Sequence, residues 1–483
     1  MDQPVDTSGI TLPSGFDSLD KYASELDNAY QQYGYLARMH IVDFFVSDHW
    51  SSLPQEWQEY FDADDFEIAS LINMASTGTL KATCPDFLRT YVNKFDLHSK
   101  SSQTEEEKQQ ILKYFLEGMS PKKQAEVTEL SQLINDVAKA SSCQRITDVG
   151  AGQGYLTRVL AYASGNSGAE LLALDHDWKQ ARGAEKYQER ILKRLKGPRA
   201  RADGYQWDDT LAKRIVHDHG ALEAVAKGGI PGSNYMVCGL HACGDLSSAV
   251  LKTFAESDLA AVVLVPCCYN HITENSMCTA RFEHCAQPGF PLSTKFPNVV
   301  FGTNALKAAC QAAPRWEHDF EGTMEAFKRN YFRAMLHYLM VSIGGLSTDD
   351  KFPVIGSITN TLMENARQRI VGRLDDNAVD ATDDNIEFAV YVEAALENIN
   401  YTWRPTIAQC IDCCSQIRHG LKRMAAVWAL RSMIGALIES ILVVDRAAYL
   451  GENCGAGGSV RAFALFDPVT SPRNVVFVAQ RKK

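Results

Sequence analysis

The sequence lacks an excess of positive charge and a long uninterrupted apolar run, and each absence narrows the class of protein. Its 483 residues include 48 Lys and Arg against 59 Asp and Glu, a formal net charge of −11. This balance excludes a strongly basic protein that wraps nucleic acid, so RNA binding would need a local basic patch. The apolar stretches 259–268 and 434–444 are too short to cross a bilayer, and the second contains Glu439. We therefore expect no membrane partner.

The sequence also has no visible secretory leader, because its first ten residues, MDQPVDTSGI, are polar. The 13 cysteines are an odd number spread over a long chain, which is not the pattern of a disulfide framework. Both observations predict reduced thiols and a cytoplasmic or nuclear location. The oligomeric state is left open.

The pattern of apolar residues divides the chain into five segments. After about residue 140, a helical pattern gives way to short apolar strands that alternate with longer helices, which is typical of a parallel α/β sheet. We place strands near 145–149, 170–175, 199–205, 234–240 and 259–266, and a closing antiparallel hairpin in the last 24 residues. The segments are a disordered leader (1–15), a helical N-terminal region (16–140), the first part of the core (141–312), a helical segment with an acidic insertion (313–400) and the C-terminal helices and hairpin of the core (401–483).

A glycine-rich turn follows the first predicted strand, in the stretch ITDVGAGQGYLTRVLA. Dinucleotide-binding folds use the spacing G-x-G-x-x-G, in which the backbone approaches a pyrophosphate. Here Gly150, Gly152 and Gly154 give G-x-G-x-G, and Tyr155 stands where the third glycine of that pattern would be. S-adenosylmethionine has no pyrophosphate, and Asp148 at the strand end suits its ammonium or a water bound to it. The glycines would let its methionine part lie on bare backbone.

A second acid is expected at the tip of the next strand, to hold the two ribose hydroxyls of the cofactor. Asp175 lies 27 residues after Asp148 and meets this expectation, whereas Asp177 is a weaker candidate. Asp203 is a candidate adenine contact after the third strand, or else a solvated loop residue. The alternative for the whole pattern is a purely structural glycine turn.

The fourth and fifth strands end in YMVCGLHACGDLSS and AVVLVPCCYNHIT, which should face the cofactor. His241 and Asp245 are the candidate general base or orienting residues, and Tyr269 could stack on a base or direct an acceptor. A structural hydrogen-bonding role for His241 is an equal alternative. Positioning dominates methyl transfer, so a base is needed only if the acceptor is a hydroxyl or a protonated amine.

Cysteine and histidine are dense enough here for a metal centre to be weighed. The residues in question are Cys238, His241, Cys243, Cys267, Cys268 and His271. No C-x-x-C pair anchors the set and Cys238 should point into the sheet, so we expect no metal and assign the thiols to packing. Cys410 and Cys413 do form C-x-x-C, but on a predicted amphipathic helix, which favours core packing.

Seven short motifs together resemble the methyltransferase-like protein 25 family, which includes the ribosomal RNA adenine dimethylase domain-containing proteins. They occur in order from about residue 45 to 480: LPQEW, MSPKKQAEV, DVGAGQGYLTR, GLHACGDLS, VPCCYNHIT, PGFPLS and FDPVTSPRN. The resemblance implies a Rossmann-like class I methyltransferase that depends on S-adenosylmethionine, with a mainly parallel seven-stranded α/β sheet, a C-terminal antiparallel hairpin and a helical N-terminal region. It places the cofactor on Asp148, Gly150, Gly152, Gly154 and Asp175. Besides His241, Asp245 and Tyr269, the substrate side comprises Cys243, Gly244, Cys267, Cys268 and Asn270.

One departure from a related pattern bears on the acceptor. Adenine dimethylases carry an Asn-Leu/Pro-Pro-Tyr/Phe motif after the fourth strand, where this chain has Leu240, His241, Ala242 and Cys243. Adenine N6 methylation is therefore not expected, despite the family's name. The H-x-C-G and C-C pair is similar to a family of transfer-RNA 2′-O-methyltransferases, which favours an RNA substrate.

A basic stretch follows the second strand and is the candidate RNA surface. Residues 179–201 contain nine Lys and Arg and two Glu. Six of the basic residues largely share one helix face: Lys179, Arg182, Lys186, Arg190, Lys193 and Arg194. A face of this kind suits phosphate contact, although an ordinary solvated helix has the same composition. A protein methyltransferase and a cofactor-binding scaffold without turnover remain the alternative functions.

Overall fold

The computed structural model describes ten ranges of the chain, and one sheet organises them. The described ranges are 5–63, 67–78, 115–162, 169–202, 215–218, 234–275, 288–347, 350–374, 383–417 and 419–482. The strands are β1 (Asp6–Ile10), β2 (Arg145–Val149), β3 (Glu170–Leu174), β4 (Ile215–Asp218), β5 (Tyr235–Cys243), β6 (Ala261–Cys267), β7 (Ser459–Ala464) and β8 (Val475–Gln480). Their order in the sheet is β1-β7-β8-β6-β5-β2-β3-β4.

Helices account for most of the remaining described residues. The first seven are α1 (Leu19–Arg38), α2 (Gln55–Asp62), α3 (Ile68–Thr77), α4 (Pro121–Ala140), α5 (Tyr155–Tyr162), α6 (Trp178–Leu195) and α7 (Pro198–Ala202). The next seven are α8 (Asp245–Glu256), α9 (Thr303–Ala309), α10 (Phe320–Ser342), α11 (Asn360–Val371), α12 (Asp383–Asn398), α13 (Ile407–Gln416) and α14 (Gly420–Asn453). Short 3₁₀ turns occupy Ile41–Asp43, Tyr269–His271 and Ala313–Arg315.

The sheet is mixed, which refines the expected α/β architecture. Strands β4, β3, β2, β5 and β6 run parallel, β8 is antiparallel to β6, and β7 is antiparallel to β8. The closing hairpin predicted at the C-terminus is therefore present. The central strands are apolar along their length because helices cover both faces of such a sheet: all seven residues of β6 are buried.

Two expectations about the sheet are wrong, and one residue range explains both. The described residues form eight strands, whereas the sequence predicts seven, and β1 lies in the leader predicted to be disordered at 1–15. Strand β1 pairs in parallel with β7, with Gly9 beside Arg461 and Ile10 beside Ala462. The polar composition of β1 gave no strand signal because its partner is supplied by residues some 450 positions later.

Four of the five internal strand predictions agree with the structure within three residues, and the third is wrong. Residues 199–205 were expected to be a strand, but α7 occupies Pro198–Ala202. The third parallel strand is β4, which begins at Ile215 and pairs with β3. The segment PRARA begins with proline, which helices tolerate at their first position, and it contains no β-branched residue.

The chain forms two compact units whose boundaries differ in part from the predicted segments. The core unit comprises Met1–Gly34, Asn93–Ala312 and Ile434–Lys483, and holds the whole sheet. The helical unit comprises Tyr35–Val92 and Ala313–Met433. Residues 401–433 lie in the helical unit, and the residues 16–140 are divided between the two units.

Helix α14 is longer than its sequence pattern indicated. The apolar stretch at 434–444 was judged too short to cross a bilayer, yet it lies within a helix of 34 residues. By length and composition this helix could span a membrane, but 94% of its most apolar window is buried inside the structure. That burial is typical of a core helix, and charged residues such as Asp445 and Arg446 are fully buried within it.

Candidate active site

The candidate site lies where the parallel strands end. Strands β2, β3, β5 and β6 share one direction, so their carboxyl ends meet at the same edge of the sheet. In open α/β sheets, ligands bind at this edge. The predicted cofactor and substrate residues follow these four strand ends.

The glycine loop leaves β2 through backbone conformations that favour glycine. Gly150, Gly152 and Gly154 have φ angles of 70°, 55° and 65°. The N–H groups of Gly150 and Ala151 donate to the carbonyl of Leu174 at 2.9 and 3.0 Å, which ties the loop to β3. A Cβ added at Gly152 would meet no protein atom within 4 Å, so this part of the loop faces open space.

Asp175, directly after β3, contacts the glycine loop. Its Oδ2 accepts a hydrogen bond from the N–H of Gly152 at 2.8 Å, and its Oδ1 accepts one from the N–H of Asp177 at 2.9 Å. Asp177 in turn caps α6, because its carboxylate accepts from the N–H of Lys179 at 2.9 Å. The structure therefore brings the two predicted cofactor elements together and gives Asp177 a structural role.

Asp148 lies behind the loop rather than on its open surface. Its side chain is 2% exposed and accepts a hydrogen bond from Thr157 Oγ1 at 2.6 Å. Burial raises the pKa of Asp148 to about 6, against the opposing effects of Thr157 and of the nearby Lys123. Asp148 is thus poised to gain or lose a proton near neutral pH.

The acid predicted after the third strand, Asp203, lies outside the described residues, and its role stays a prediction. Asp218 is the last residue of β4 and stands beside Leu174, the last residue of β3. The apolar pair Ile215 and Val216 just before it was the sequence signal for this strand end.

His241 pairs with a carboxylate that the sequence analysis did not single out. The distance from its Nε2 to Glu126 Oε2 is 2.9 Å. The Glu126 side chain is 1% exposed, and its carboxylate also accepts a hydrogen bond from Ser471 Oγ at 2.6 Å. Burial disfavours ionisation of Glu126, but the hydrogen bonds from His241 and Ser471 outweigh it and lower its pKa to about 2. An ionised carboxylate only accepts, so Nε2 carries a proton and Nδ1 is the acceptor of the neutral ring.

Glu126 comes from α4, whose first turn lies close to the cofactor side. Ser120 caps this helix by accepting from the N–H of Lys123 at 3.3 Å. Burial lowers the pKa of Lys123, and the nearby charges of Glu126, Asp148 and Cys267 act in the opposite direction. The signal was available, since Glu126 lies in MSPKKQAEV, one of the motifs that carry the family resemblance.

Asp245, the other candidate general base or orienting residue, binds Thr273. Its Oδ1 accepts from the N–H of Thr273 at 2.8 Å, and its Oδ2 accepts from the hydroxyl of the same threonine. These bonds fix the chain after β6 to the first turn of α8. Asp245 acts here as an orienting residue of the local backbone.

Tyr269 is buried, which bears on one of its two predicted roles, stacking on a base; the other, directing an acceptor, stays a prediction. Its side chain is 1% exposed, so the ring is not available to stack on a substrate base. Burial raises the pKa of its hydroxyl well above the usual value, and the guanidinium of Arg473 lies 5.7 Å from the ring centre. The neighbouring Asn270 accepts a hydrogen bond from Cys310 Sγ at 3.3 Å.

The substrate-side thiols converge on one point. Cys243 Sγ lies 3.1 Å from Cys267 Sγ and 3.4 Å from Cys268 Sγ. Hydrogen bonding with Cys267, and secondarily with Cys268, lowers the pKa of Cys243 to about 6 against the effect of burial. Gly244 follows with a φ of 54°, and a Cβ there would lie 2.5 Å from the carbonyl oxygen of His271, so only glycine fits. Cys238 is fully buried beside Asp148 in the sheet and stands apart from this cluster.

The predicted basic face lies on α6 and is exposed. The six basic side chains named for that face, at positions 179, 182, 186, 190, 193 and 194, are all exposed to solvent. Arg194 pairs with Glu117, and Arg190 lies 5.4 Å from the ring centre of Tyr187. Helix α6 begins at Trp178, three residues after Asp175, so the face starts beside the cofactor side of the sheet edge.

A family model described as a methyltransferase domain matches residues 122–275 of the chain. That range runs from the first turn of α4 to just beyond β6. It includes Glu126, the glycine loop, Asp175, His241 and the three thiols.

Two curated relatives carry the name "Probable methyltransferase-like protein 25". The protein from Mus musculus is 25% identical over 254 residues, which is 51% of this chain and 38% of the relative. The protein from Homo sapiens is 24% identical over 252 residues, which is 51% of this chain and 37% of the relative. The match thus spans less than two-fifths of these relatives, and it confirms the predicted family resemblance.

Proposed function

We propose that this chain, a relative of methyltransferase-like protein 25 with a methyltransferase domain, uses S-adenosylmethionine as its methyl donor. The contact between Asp175 and Gly152 carries the proposal. It sets a carboxylate suited to ribose hydroxyls beside a bare backbone surface suited to the methionine part. The cofactor's residues would then be Asp148, Gly150, Gly152, Gly154 and Asp175, and Asp203 stays a prediction for the adenine.

The residues present fit this donor better than a dinucleotide. A Cβ at Gly152 would project into the open space above the loop, where its absence leaves bare backbone for the donor. Tyr155, the first residue of α5, stands where a dinucleotide fold needs a glycine for close packing of the helix against the strand. When bound, the donor supplies a methyl group on a positively charged sulfur, and the buried Asp148 adds a negative charge behind the loop.

Isothermal titration calorimetry of the full chain tests the donor. We expect binding of S-adenosylmethionine and of its demethylated product, and no comparable binding of a nicotinamide dinucleotide. The converse result, tight binding of the dinucleotide and none of the sulfonium donor, would overturn the proposal.

We propose RNA as the acceptor class, because the exposed basic face of α6 begins beside the cofactor side. Phosphate contacts from such a face would position RNA without reading its sequence. Adenine N6 is not the expected acceptor atom, because residues 240–243 at the end of β5 lack the Asn-Leu/Pro-Pro-Tyr/Phe motif of the dimethylases.

His241 supports a hydroxyl or protonated nitrogen as the acceptor. The buried, ionised Glu126 holds the proton on Nε2, which leaves Nδ1 of the half-exposed ring able to accept a proton. Glu126 is a positioning residue in this account. It fixes the tautomer and the orientation of the imidazole.

Tritiated donor separates the acceptor classes. The full chain is incubated with RNA and with protein fractions from cells that lack it, and radioactivity is followed into each fraction. Incorporation into RNA that is lost in His241→Ala supports the proposal. Incorporation into protein alone would establish the alternative, a protein methyltransferase, and donor binding without incorporation would indicate a scaffold.

Charge reversal of the basic face tests how RNA is held. We expect Lys179→Glu with Lys186→Glu to weaken RNA binding at least tenfold and to flatten its dependence on salt, because each phosphate contact releases counterions. The control is Lys328→Glu with Arg329→Glu in the helical unit. Equal losses in both double variants would argue against a specific surface on α6.

A further inference from the structure

Three cysteine sulfurs meet at the ends of β5 and β6. Cys243 and Cys267 are direct neighbours in the register of these strands, and Cys268 follows at once. The Sγ–Sγ distances are 3.1 Å for Cys243 and Cys267, 3.4 Å for Cys243 and Cys268, and 3.5 Å for Cys267 and Cys268. Two separate strands thus deliver three soft donor atoms to one place.

The backbone departs from regular geometry to achieve this convergence. Successive side chains of a strand point to opposite faces, so two adjacent cysteines would normally diverge. Cys268 takes a left-handed conformation with φ 49° and ψ 52°, and its sulfur turns back toward that of Cys267. On β5, the register shifts between Leu240 and Ala242, and His241 has a φ of 64°. A left-handed backbone conformation costs a non-glycine residue about 1–2 kcal/mol. Packing of a small side chain does not require this conformation.

We propose that Cys243, Cys267 and Cys268 together bind one zinc ion. Zinc–sulfur bonds of about 2.3 Å in a tetrahedral arrangement place sulfurs about 3.8 Å apart. The three sulfur–sulfur distances reach that value when they increase by about 0.3 to 0.7 Å. A disulfide between the nearest pair requires a larger change, a contraction of about 1 Å to a bond of about 2.0 Å.

The cluster offers an entry path and an open coordination position. Cys243 is exposed whereas Cys267 is buried, so an ion enters from the Cys243 side. In the part of the chain that the structure describes, the group within 4.8 Å consists of these three cysteines, without a fourth histidine, cysteine or carboxylate. Three protein ligands leave the fourth tetrahedral position for water or another small ligand.

This site differs from the metal centre weighed on sequence grounds. Cys238, His241 and His271 take no part, and the ligands are the three thiols that had been assigned to packing. The C-x-x-C pattern does not detect them, because Cys243 and Cys267 come from two strands and Cys268 is a left-handed residue after the second strand. The site does not depend on the proposed donor or acceptor.

Metal analysis of the full chain, purified under reducing conditions and loaded with zinc, tests the proposal. We expect one equivalent of zinc by elemental mass spectrometry after gel filtration. Cys243→Ser, Cys267→Ser and Cys268→Ser should each lose most of it. The matched control is Cys414→Ser, a half-buried thiol of the helical unit, which should retain the full equivalent.

Cobalt substitution reports the ligands directly and does not depend on activity. Cobalt-loaded protein should show a thiolate-to-cobalt charge-transfer band in the near ultraviolet, and Cys243→Ser should lose much of it. Circular dichroism and donor binding of the serine variants show whether they fold. Zinc absent from the reconstituted wild-type chain, or equal zinc in folded Cys243→Ser, would overturn the proposal. So would a metal-free protein in which peptide mapping finds a disulfide among these cysteines.

Discussion

At the residue scale, buried charge organises the candidate site. Glu126 and Asp148 are both nearly inaccessible to solvent, yet their pKa values move in opposite directions. Glu126 accepts hydrogen bonds from His241 and Ser471 that favour its charged form. The hydrogen bonds from Thr157 and the charge of Lys123 do not offset the burial of Asp148. One carboxylate is a permanent anion, and the other titrates near neutral pH.

Asp175→Asn should weaken donor binding at least tenfold, about 1.4 kcal/mol. The amide cannot accept from the Gly152 N–H and from a ribose hydroxyl with the strength of a carboxylate. Isothermal titration calorimetry measures the change. Glu170→Gln, at the amino end of the same strand, is the matched control and should bind as the wild type does. Unchanged affinity in Asp175→Asn would remove this residue from the cofactor site.

Donor affinity should rise as the pH increases from 5 to 7. The pKa of Asp148 is raised to about 6, so its carboxylate goes from mostly protonated to mostly ionised over this range. The anion attracts a cationic donor. If the donor binds only when Asp148 is ionised, its affinity rises about tenfold over this range. Titration calorimetry at pH 5, 6 and 7 measures the profile, and Asp148→Asn should flatten it. A wild-type profile that is flat or falls with pH would contradict the expectation.

Ionisation of Asp148 lowers the free energy of unfolding, although it should strengthen donor binding. A carboxyl group whose folded pKa lies above its unfolded pKa of 3.8 favours folding below that pH. This contribution is lost as the pH rises through about 6. Glu126, with a folded pKa of about 2, contributes stability that is present above pH 4.5 and lost as the pH falls toward 2.

At the element scale, short contacts between neighbouring strand ends shape the site. Strand β5 extends to Cys243 through its register shift, and β6 stops at Cys267 before the left-handed Cys268. Asp245 then joins the first turn of α8 to Thr273, which lies two residues beyond the 3₁₀ turn Tyr269–His271. The chain on either side of the thiols is therefore held by hydrogen bonds.

Asp245→Ala should destabilise the core unit by about 1–3 kcal/mol, because it leaves the N–H and hydroxyl of Thr273 without their acceptor. Urea denaturation measures the loss. Glu256→Ala, an exposed residue in the last turn of α8, serves as the control and should change stability by less than about 0.5 kcal/mol. A stable Asp245→Ala that has lost only turnover would show that the carboxylate is catalytic after all.

At the scale of the whole molecule, the core unit is assembled from three separated stretches of chain. Residues before 35 supply β1, the middle supplies the parallel strands, and the residues after 433 supply the closing hairpin. Strand β1 is the edge strand on this side of the sheet. It covers β7, which would be the edge strand in its absence. An uncovered edge strand is a template for pairing with other chains.

Removal of residues 1–12 should therefore lower the melting temperature and promote self-association. The deletion exposes the backbone of β7, including that of Arg461 and Ala462, which pair with β1. Differential scanning calorimetry and size-exclusion chromatography measure the two effects. Donor binding should persist, because the deletion touches none of the strand ends that form the site. A truncated chain that stays as stable and as dispersed as the full chain would show that β1 is dispensable.

The sequence by itself determined the α/β class, most of the parallel strands, the glycine loop and Asp175. These features rest on local patterns: apolar runs of strand length, glycines at left-handed positions and acids at strand ends. The same patterns placed His241 and the cysteine pair at the correct edge of the sheet, because the carboxyl ends of parallel strands meet there.

Only the tertiary structure decided which side chains meet at that edge. It paired His241 with Glu126, joined Asp245 to Thr273, buried Tyr269 and brought Cys243 to the adjacent Cys267 and Cys268. It also turned a polar leader into β1. Each of these outcomes depends on partners far apart in the chain, and hydrogen bonding and burial are properties of such long-range contacts rather than of local sequence.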